Sequence, residues 1–304
     1  PCPHLSGRQS KHFLIQMCAV QSSWQGGCIR FFNVDRMEIT MLDKALITRA
    51  DDFGSSHSAN QAIYEVSKKG IVKNVSVMAC APYLEEAAEM LASSKDVTFG
   101  MHSVINAEWD RVVWGPVAPK EKVKSLIDHR GVFYQDVLEL AAAKPDLDEI
   151  ITEYKYQLER LRKVGFPIAY IDSHMMPEGD IPGLAEKFDR WVEEEGLINH
   201  RYYNRMLPDS GKFSHDRTLF EKEIRTMEGQ YKLVLHPAKT SDEMKMTGNH
   251  NYSGEFIAWE REDDYEFYND PTVLSFLQEQ GVKLLSYKDA EPAKEPYNFS
   301  LWRK

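Results

Sequence analysis

Polar residues that can bind a metal ion or move a proton follow four of the six short apolar runs in this sequence. The runs cover 44–49, 74–79, 97–101, 168–171, 232–235 and 282–285. The polar residues that follow them are Asp51 and Asp52, His102, Asp172 and His174, and His236. Because parallel α/β folds place active sites at the carboxyl ends of their strands, these side chains are predicted to meet at one rim. The pattern indicates a metal-dependent hydrolase.

Two histidines and one carboxylate form a three-ligand metal site that keeps a position for water. Asp51 and Asp52 are neighbours on an extended segment and point in opposite directions, so one can bind metal while the other takes another role. Asp172 is predicted to orient His174 through a hydrogen bond to its imidazole. Taken singly, the Asp pair also fits a solvated turn or a helix cap, and His102 also fits a structural histidine.

His236 precedes Pro237 at another predicted strand end and offers a proton donor. Five other histidines lie in helical or loop patterns and are predicted to be surface residues: His57, His129, His200, His215 and His250. The sequence therefore brings three histidines to one predicted rim.

Helical patterns lie between most of the apolar runs. The predicted helices span 58–69, 83–94, 146–164, 183–195, 217–227 and 270–281. Alternating strands and helices imply a parallel sheet with helical cover, either open or closed into a barrel. The segments 106–131 and 240–266 are predicted to be long loops over the rim, where long loops usually bind substrate.

Charge and hydropathy narrow the classes of partner. The chain has 304 residues and a formal net charge of −10. Nucleic acids and anionic membranes reward clustered Lys and Arg, so both are disfavoured partners. No apolar stretch approaches the roughly 20 residues of a membrane span.

The cysteines are unevenly placed, since Cys80 is the one that lies beyond residue 40. A single cysteine cannot form an internal disulfide, so the main body is predicted to be cytoplasmic. Residues 1–40 lack regular periodicity and are predicted to be a poorly ordered leader or extension, with a signal peptide as the alternative. Residues 41–304 are predicted to form a single domain.

A series of motifs in a fixed order carries a family resemblance. The motifs are Ala50-Asp51-Asp52-Phe53-Gly54, Asn60-Gln61-Ala62-Ile63, the segment 70–78, Gly100-Met101-His102, Asp172-Ser173-His174, Leu235-His236-Pro237 and the segment 265–286. With these motifs, the sequence resembles the YdjC-like family of carbohydrate deacetylases, which includes the chitooligosaccharide deacetylases. The resemblance covers about 44–290. The first motif is fairly specific, and the histidine motifs gain specificity from their order.

The resemblance implies an α/β fold, a distorted β/α barrel of the glycoside hydrolase/deacetylase type. It implies one divalent metal ion, Mg²⁺ or Zn²⁺, held by Asp52, His102 and His174. It also gives Asp51 the role of general base and His236 a role in acid catalysis. Many relatives have a further histidine after the Asp-x-His motif, whereas this sequence has Met176 there. Substrate contacts are therefore expected to differ from those of such relatives.

The predicted reaction is removal of an N-acetyl group from an oligosaccharide that contains N-acetylglucosamine. Arg205, Arg261 and Trp109 are predicted to bind this saccharide, with Trp114, Tyr252 and Trp259 as further candidates. Metal-assisted cleavage of a phosphorylated disaccharide and non-catalytic saccharide binding are the alternatives. The expected partner is a small saccharide, neither nucleic acid nor membrane is expected, and a homodimer is left open.

Overall fold

The computed structural model of the protein describes residues 43–299. The predicted leader, residues 1–40, lies outside this range, so its prediction stands as made. Within the range, every helix is too short or too polar to cross a membrane.

Seven parallel strands form the central sheet. They are β1 (Ala45–Phe53), β2 (Asn74–Met78), β3 (Thr98–Ser103), β4 (Ile168–Ser173), β5 (Ile198–Asn199), β6 (Gln230–Leu235) and β7 (Lys283–Leu285). The order of pairing is β5-β4-β3-β2-β1-β6, and β7 also pairs with β1. Every residue of β2 is buried, which explains why the parallel strands are continuous apolar runs in the sequence.

The sheet curls around β1. The first residues of this strand, Ala45–Ile47, pair with β7, and β2 pairs with it from Arg49 onward. At the opposite edges, a bridge between Met206 and Lys232 connects the segment after β5 to β6. The fold is therefore the predicted distorted β/α barrel.

Eight α-helices follow or connect the strands in the described part of the chain. They are α1 (His57–Ser67), α2 (Leu84–Leu91), α3 (Val137–Ala142), α4 (Leu147–Lys163), α5 (Leu184–Glu194), α6 (Arg217–Thr226), α7 (Gly254–Asn269) and α8 (Pro271–Glu279). Six of them match the predicted helices to within three residues at each end. Asp146, Asp216 and Asp270 cap α4, α6 and α8 by accepting a backbone N–H, as their residue type favours.

The prediction of a loop over 240–266 is wrong in its second half, where the structure has α7. Phe256 and Trp259 on this helix are 40% and 48% exposed, and charged residues surround them. Exposed aromatic side chains interrupt the apolar periodicity by which a sequence predicts an amphipathic helix.

The long segment after β3 is fixed to α4 by buried polar side chains. Glu153 accepts hydrogen bonds from the backbone N–H groups of Val117 and Ala118, both at 2.9 Å. Gln157 accepts from the Val104 N–H at 3.0 Å and donates to the Val104 carbonyl. These bonds satisfy the loop backbone inside the protein and hold it over the carboxyl edge of the sheet.

Candidate active site

Three side chains converge at the carboxyl edge of the sheet. Nε2 of His102 lies 3.1 Å from Nδ1 of His174, and these two atoms lie 3.4 Å and 3.7 Å from Oδ1 of Asp52. Tetrahedral ligands with bonds of about 2.1 Å lie about 3.4 Å apart, so the three atoms have the spacing of metal ligands. The predicted convergence of these residues is observed, while their role as ligands stays a prediction.

Asp52 has an unusual backbone conformation. Its φ is 67°, in the left-handed region that few residues other than glycine adopt, and the pairing of β1 with β2 shifts between Ala50 and Phe53. Gly54 follows with φ 99°, and its N–H donates to Asn60 Oδ1 at 2.8 Å. The bulge turns the Asp52 carboxylate towards the two imidazoles, and strain of this kind is typical of functional sites.

Each imidazole is held by a carboxylate on its other nitrogen. Asp172 is hydrogen-bonded to His102 Nδ1, and Glu108 Oε2 lies 2.9 Å from His174 Nε2. The prediction that Asp172 orients His174 is therefore wrong. In parallel strands Asp172 pairs directly across from His102, which brings their side chains together, whereas His174 lies beyond the end of β4.

A buried arginine holds Asp51. Nε and Nη2 of Arg49 each donate to one oxygen of Asp51 at 2.6 Å, and Nη1 lies 3.4 Å from Asp172 Oδ2. Arg49 and Asp51 are 4% and 2% exposed. The fork of the guanidinium fixes the orientation of Asp51, as bidentate pairs do. Arg49 was missed in the sequence because it is the last residue of a predicted buried strand.

The charges of the site change the pKa values of its residues. Burial alone would lower the pKa of His102, but the charges of Asp172 and Asp51 outweigh it and raise this pKa to about 10. Burial alone would raise the pKa of Asp52, but the nearby imidazole of His102 and the charge of Arg261 hold this pKa well below its usual range. A metal ion competes with the proton of His102, because only the neutral imidazole binds metal.

The residues present fit a divalent metal ion. Oδ1 of Asp52 is buried and accepts no hydrogen bond from residues 43–299, although a buried carboxylate oxygen normally has a partner. It faces Nε2 of His102 and Nδ1 of His174. The other nitrogen of each ring is held by Asp172 and by Glu108, respectively. Ligating histidines commonly have such outer carboxylates.

A cavity of about 380 Å³ opens beside these residues. Asp52, Glu108 and Arg261 border it at the end near the imidazoles, and Arg261 Nη2 lies 3.3 Å from Asp52 Oδ2. The remaining lining residues come mainly from the segments after β3 and β6 and include Tyr83, Trp109, Arg111, Trp114, Met244 and Ile257. The cavity thus combines aromatic walls with a few charged groups, as small-molecule sites usually do.

Comparisons with known proteins place this chain in a family. The family model described as YdjC-like protein matches residues 45–279. The chain belongs to the YdjC-like family. A carbohydrate deacetylase from Enterococcus faecalis is 33% identical over 82% of this chain and 98% of its own. A chitooligosaccharide deacetylase from Yersinia enterocolitica is 26% identical over 82% of this chain and 100% of its own.

The fold of this YdjC-like protein is also similar to a crystal structure. That structure is of an Enterococcus faecalis protein with the provisional name cellobiose-phosphate cleavage protein. The TM-score is 0.62, the sequences are 23% identical, and the match covers 81% of this chain and 98% of the other. The similarity supports the assignment of the fold.

Of the three predicted saccharide contacts, Trp109 and Arg261 line the cavity of this YdjC-like protein and Arg205 does not. Their binding role stays a prediction. The Arg205 guanidinium lies 4.0 Å from the ring centre of Tyr231 and donates to its hydroxyl. Tyr231 pairs with Leu46 near the amino ends of both strands, so Arg205 lies towards the edge of the sheet opposite the site. The sequence could not show which end of β6 the preceding loop would cover.

The other predicted aromatic contacts differ in position. Trp114 lines the cavity, and its ring packs edge-on against His174 at 6.4 Å. Tyr252 borders a second, smaller cavity, and Trp259 stacks on His215 at 4.6 Å. Trp259 does not line either of these cavities.

Two further histidines of this YdjC-like protein, His200 and His236, follow the strands β5 and β6. His200, predicted to be on the surface, is 1% exposed and stacks on Phe299. Its position at the end of the short β5 was not recognised, because that strand has only two residues. His236 follows Leu235, which pairs with Ala50, so its backbone lies beside Asp51, and its N–H donates to Asp264 at 2.9 Å.

Glu108 was not predicted as a site residue. It lies in a loop without regular periodicity, nine residues after Phe99, a buried residue of the preceding strand β3. The sequence signal that could have found it is Glu108-Trp109, an acidic and an aromatic residue together on a predicted rim loop.

Proposed function

We propose that this protein is a metal-dependent hydrolase that removes N-acetyl groups from oligosaccharides containing N-acetylglucosamine. The observation that carries the proposal is the convergence of Asp52, His102 and His174 at the end of a cavity large enough for a sugar ring. Relatives named carbohydrate deacetylase and chitooligosaccharide deacetylase, aligned over about four fifths of the chain, support the choice of reaction.

Asp52, His102 and His174 would hold one divalent ion. Two imidazoles and one carboxylate suit Zn²⁺ better than Mg²⁺, which prefers oxygen ligands and retained water. When bound, such an ion polarises the amide carbonyl and lowers the pKa of a bound water towards about 7.

Asp51 is the proposed general base. It lies next to Asp52, and its carboxylate has an oxygen within 4.8 Å of His102 and Asp172 ligand atoms. Arg49 occupies one direction of each Asp51 oxygen and keeps the carboxylate from turning away. An oriented carboxylate can accept the proton of the attacking water without a conformational search.

His236 is the proposed acid that protonates the departing amine. An amine is a poor leaving group until it receives a proton, so amide hydrolysis needs such a donor. The pairing of Leu235 with Ala50 places the backbone of His236 at the same edge of the sheet as Asp51. The next residues are tied to α7, since the Ala238 N–H donates to the Arg261 carbonyl at 3.1 Å.

Arg261 and Trp109 are the proposed saccharide contacts. The Arg261 side chain is 15% exposed, borders the cavity and pairs with Asp52, so its remaining N–H groups can donate to a carbonyl or hydroxyl oxygen. Trp109 offers an aromatic wall for the apolar face of a sugar ring. Arg261→Ala should raise KM or lower kcat, while Arg162→Ala, an exposed arginine paired with Glu195 on the outer surface, should change neither.

An acetate-release assay tests the proposal. The full chain is stripped with a chelator, reloaded with Zn²⁺ or Mg²⁺, and given N-acetylglucosamine, its 6-phosphate and short chitooligosaccharides. We expect acetate to form from at least one of these saccharides, and chelation to abolish it. Absence of acetate from every substrate with both metals, or acetate release that chelation leaves unchanged, would overturn the proposal.

The same assay separates a second candidate, cleavage of a phosphorylated disaccharide. Arg111 borders both cavities, and its guanidinium approaches Met246 Sδ at 4.0 Å without pairing with a carboxylate of the described residues. An unpaired cation of this kind suits a phosphate group. This reaction would give a free phosphorylated monosaccharide and no acetate.

A further inference from the structure

Glu108 contacts His174 at the nitrogen that faces away from Asp52. The distance from Glu108 Oε2 to His174 Nε2 is 2.9 Å, and Nδ1 of the same ring lies 3.7 Å from Asp52 Oδ1. An ionised carboxylate accepts a hydrogen bond, so it keeps the proton of the neutral imidazole on Nε2. Nδ1 then presents a lone pair to Asp52 and His102.

The two outer carboxylates differ in position. Asp172 is part of β4, is fully buried and is also bound by Ser76 and Arg49. Glu108 lies outside the strands, is 9% exposed and borders the cavity. The sheet therefore fixes His102, whereas a cavity wall fixes His174.

The backbone of Glu108 is held by two segments of the same wall. Its carbonyl accepts hydrogen bonds from Gln135 Nε2 at 3.2 Å and from Asn249 Nδ2 at 3.1 Å. The Asp110 N–H donates to the Gly248 carbonyl at 2.8 Å. The loops after β3 and β6 thus meet at Glu108 and define where its carboxylate stands.

We propose that Glu108 is a positioning residue that fixes the tautomer and ring orientation of His174 and thereby sets the metal affinity of the site. The inference rests on the proposed function for the presence of a metal ion. It does not depend on the substrate, because metal binding is measured without one. If the acetate assay fails, the measurement of metal affinity still decides this inference.

The test compares three variants of the full chain by competition with a chromophoric chelator for Zn²⁺, and by the absorption spectrum of bound Co²⁺. Glu108→Ala should lose about 10- to 100-fold in Zn²⁺ affinity, the usual effect of removing an outer partner of a ligating histidine, and should alter the Co²⁺ spectrum. Glu108→Gln keeps an acceptor for Nε2–H without the charge and should lose less.

Asp110→Asn is the matched control. Asp110 is an acid of the same loop that accepts from Gln135 Nε2 at 2.8 Å, and in the described part of the chain no hydrogen bond or ion pair joins it to His102 or His174. Its variant should bind Zn²⁺ with wild-type affinity to within about twofold. Wild-type affinity and spectrum in both Glu108 variants would overturn the proposal. An equal loss in Asp110→Asn would do so as well, because it would show a general effect of loosening the loop.

Discussion

At the scale of single residues, the site consists of buried charges that orient one another. Arg49 joins Asp51 to Asp172, Asp172 holds His102, and His102 faces Asp52. Since a buried charge is stable only when paired, each of these side chains has few alternative positions. Such preorganisation is what catalysis by positioned groups requires.

Replacing Asp51 tests the proposed base. Asp51→Asn keeps the size of the side chain and does not touch Asp52, His102 or His174, so Zn²⁺ affinity should stay within a few-fold of wild type. Turnover should fall at least ~100-fold, a usual scale for loss of general base catalysis. Acetate release and a chelator competition on the same preparation measure both effects. Full turnover in this variant would remove Asp51 from the mechanism.

Replacing His236 tests the proposed acid. His236→Ala should depress hydrolysis of an N-acetyl sugar far more than hydrolysis of an activated acetate ester of a phenol. The reason is that the phenolate of this ester leaves without a proton, whereas the amine of the sugar needs one. Metal content should stay near that of the wild type. An equal loss of rate on both substrates would make His236 a binding or oxyanion contact, and loss of the metal would make it a ligand.

Glu178 gives the site a pH-dependent neighbour. Burial raises its pKa to about 7, despite the hydrogen bond from Ser173. The unfolded value is about 4.3, so between these values the folded protein holds a proton that the unfolded chain has released. Stability therefore falls as pH rises through this range and does not recover above it.

The neutral variant Glu178→Gln removes this dependence. The free energy of unfolding of Glu178→Gln minus that of wild type should therefore increase by on the order of 2 kcal/mol from pH 5 to pH 8. Urea unfolding of both proteins at the two pH values measures the gain. The same difference between the two proteins at both pH values would show that Glu178 does not change its ionisation on folding.

At the scale of elements, β3 and β4 approach each other closely at Gly100. Gly100 on β3 faces the ring of Tyr170 on β4, and a Cβ on Gly100 would lie 2.1 Å from that ring. The Tyr170 hydroxyl lies 2.8 Å from Ser76 Oγ, and its ring packs on Tyr287 at 4.4 Å. The ring therefore cannot move aside without losing both contacts.

Gly100→Ala should consequently destabilise the protein by about 1–3 kcal/mol, the usual cost of overpacking a core. Gly211→Ala is the control, because a Cβ there meets no atom within 4 Å. Chemical denaturation of the two variants measures the difference. If Gly100→Ala unfolds at the same denaturant concentration as Gly211→Ala, the barrel interior is more adaptable than these distances imply.

At the scale of the whole molecule, residues 43–299 contain the complete set of strands described above and every residue of the proposed site. The family model begins at residue 45, close to the start of β1. We therefore expect deletion of residues 1–40 to change melting temperature and acetate release little. Thermal unfolding and the acetate assay on the shortened chain measure both effects. A large fall in melting temperature would show that the leader contributes to the fold.

The sequence by itself determined six of the seven described strands, six helices and the residues that end four of these strands. Parallel strands buried on both faces leave continuous apolar runs, and polar residues at their ends stand out against them. The order of β/α units then places these residues at one edge of the sheet, so the convergence of Asp52, His102 and His174 followed from local patterns and chain order.

Only the tertiary structure decided which side chains pair. The register of β3 and β4 gives Asp172 to His102, two loops far apart in sequence bring Glu108 to His174, and Arg205 lies towards the other edge of the sheet. These outcomes depend on strand register and loop packing, which a local pattern does not contain. A one-residue change of register or another loop path would assign the same residues to different partners.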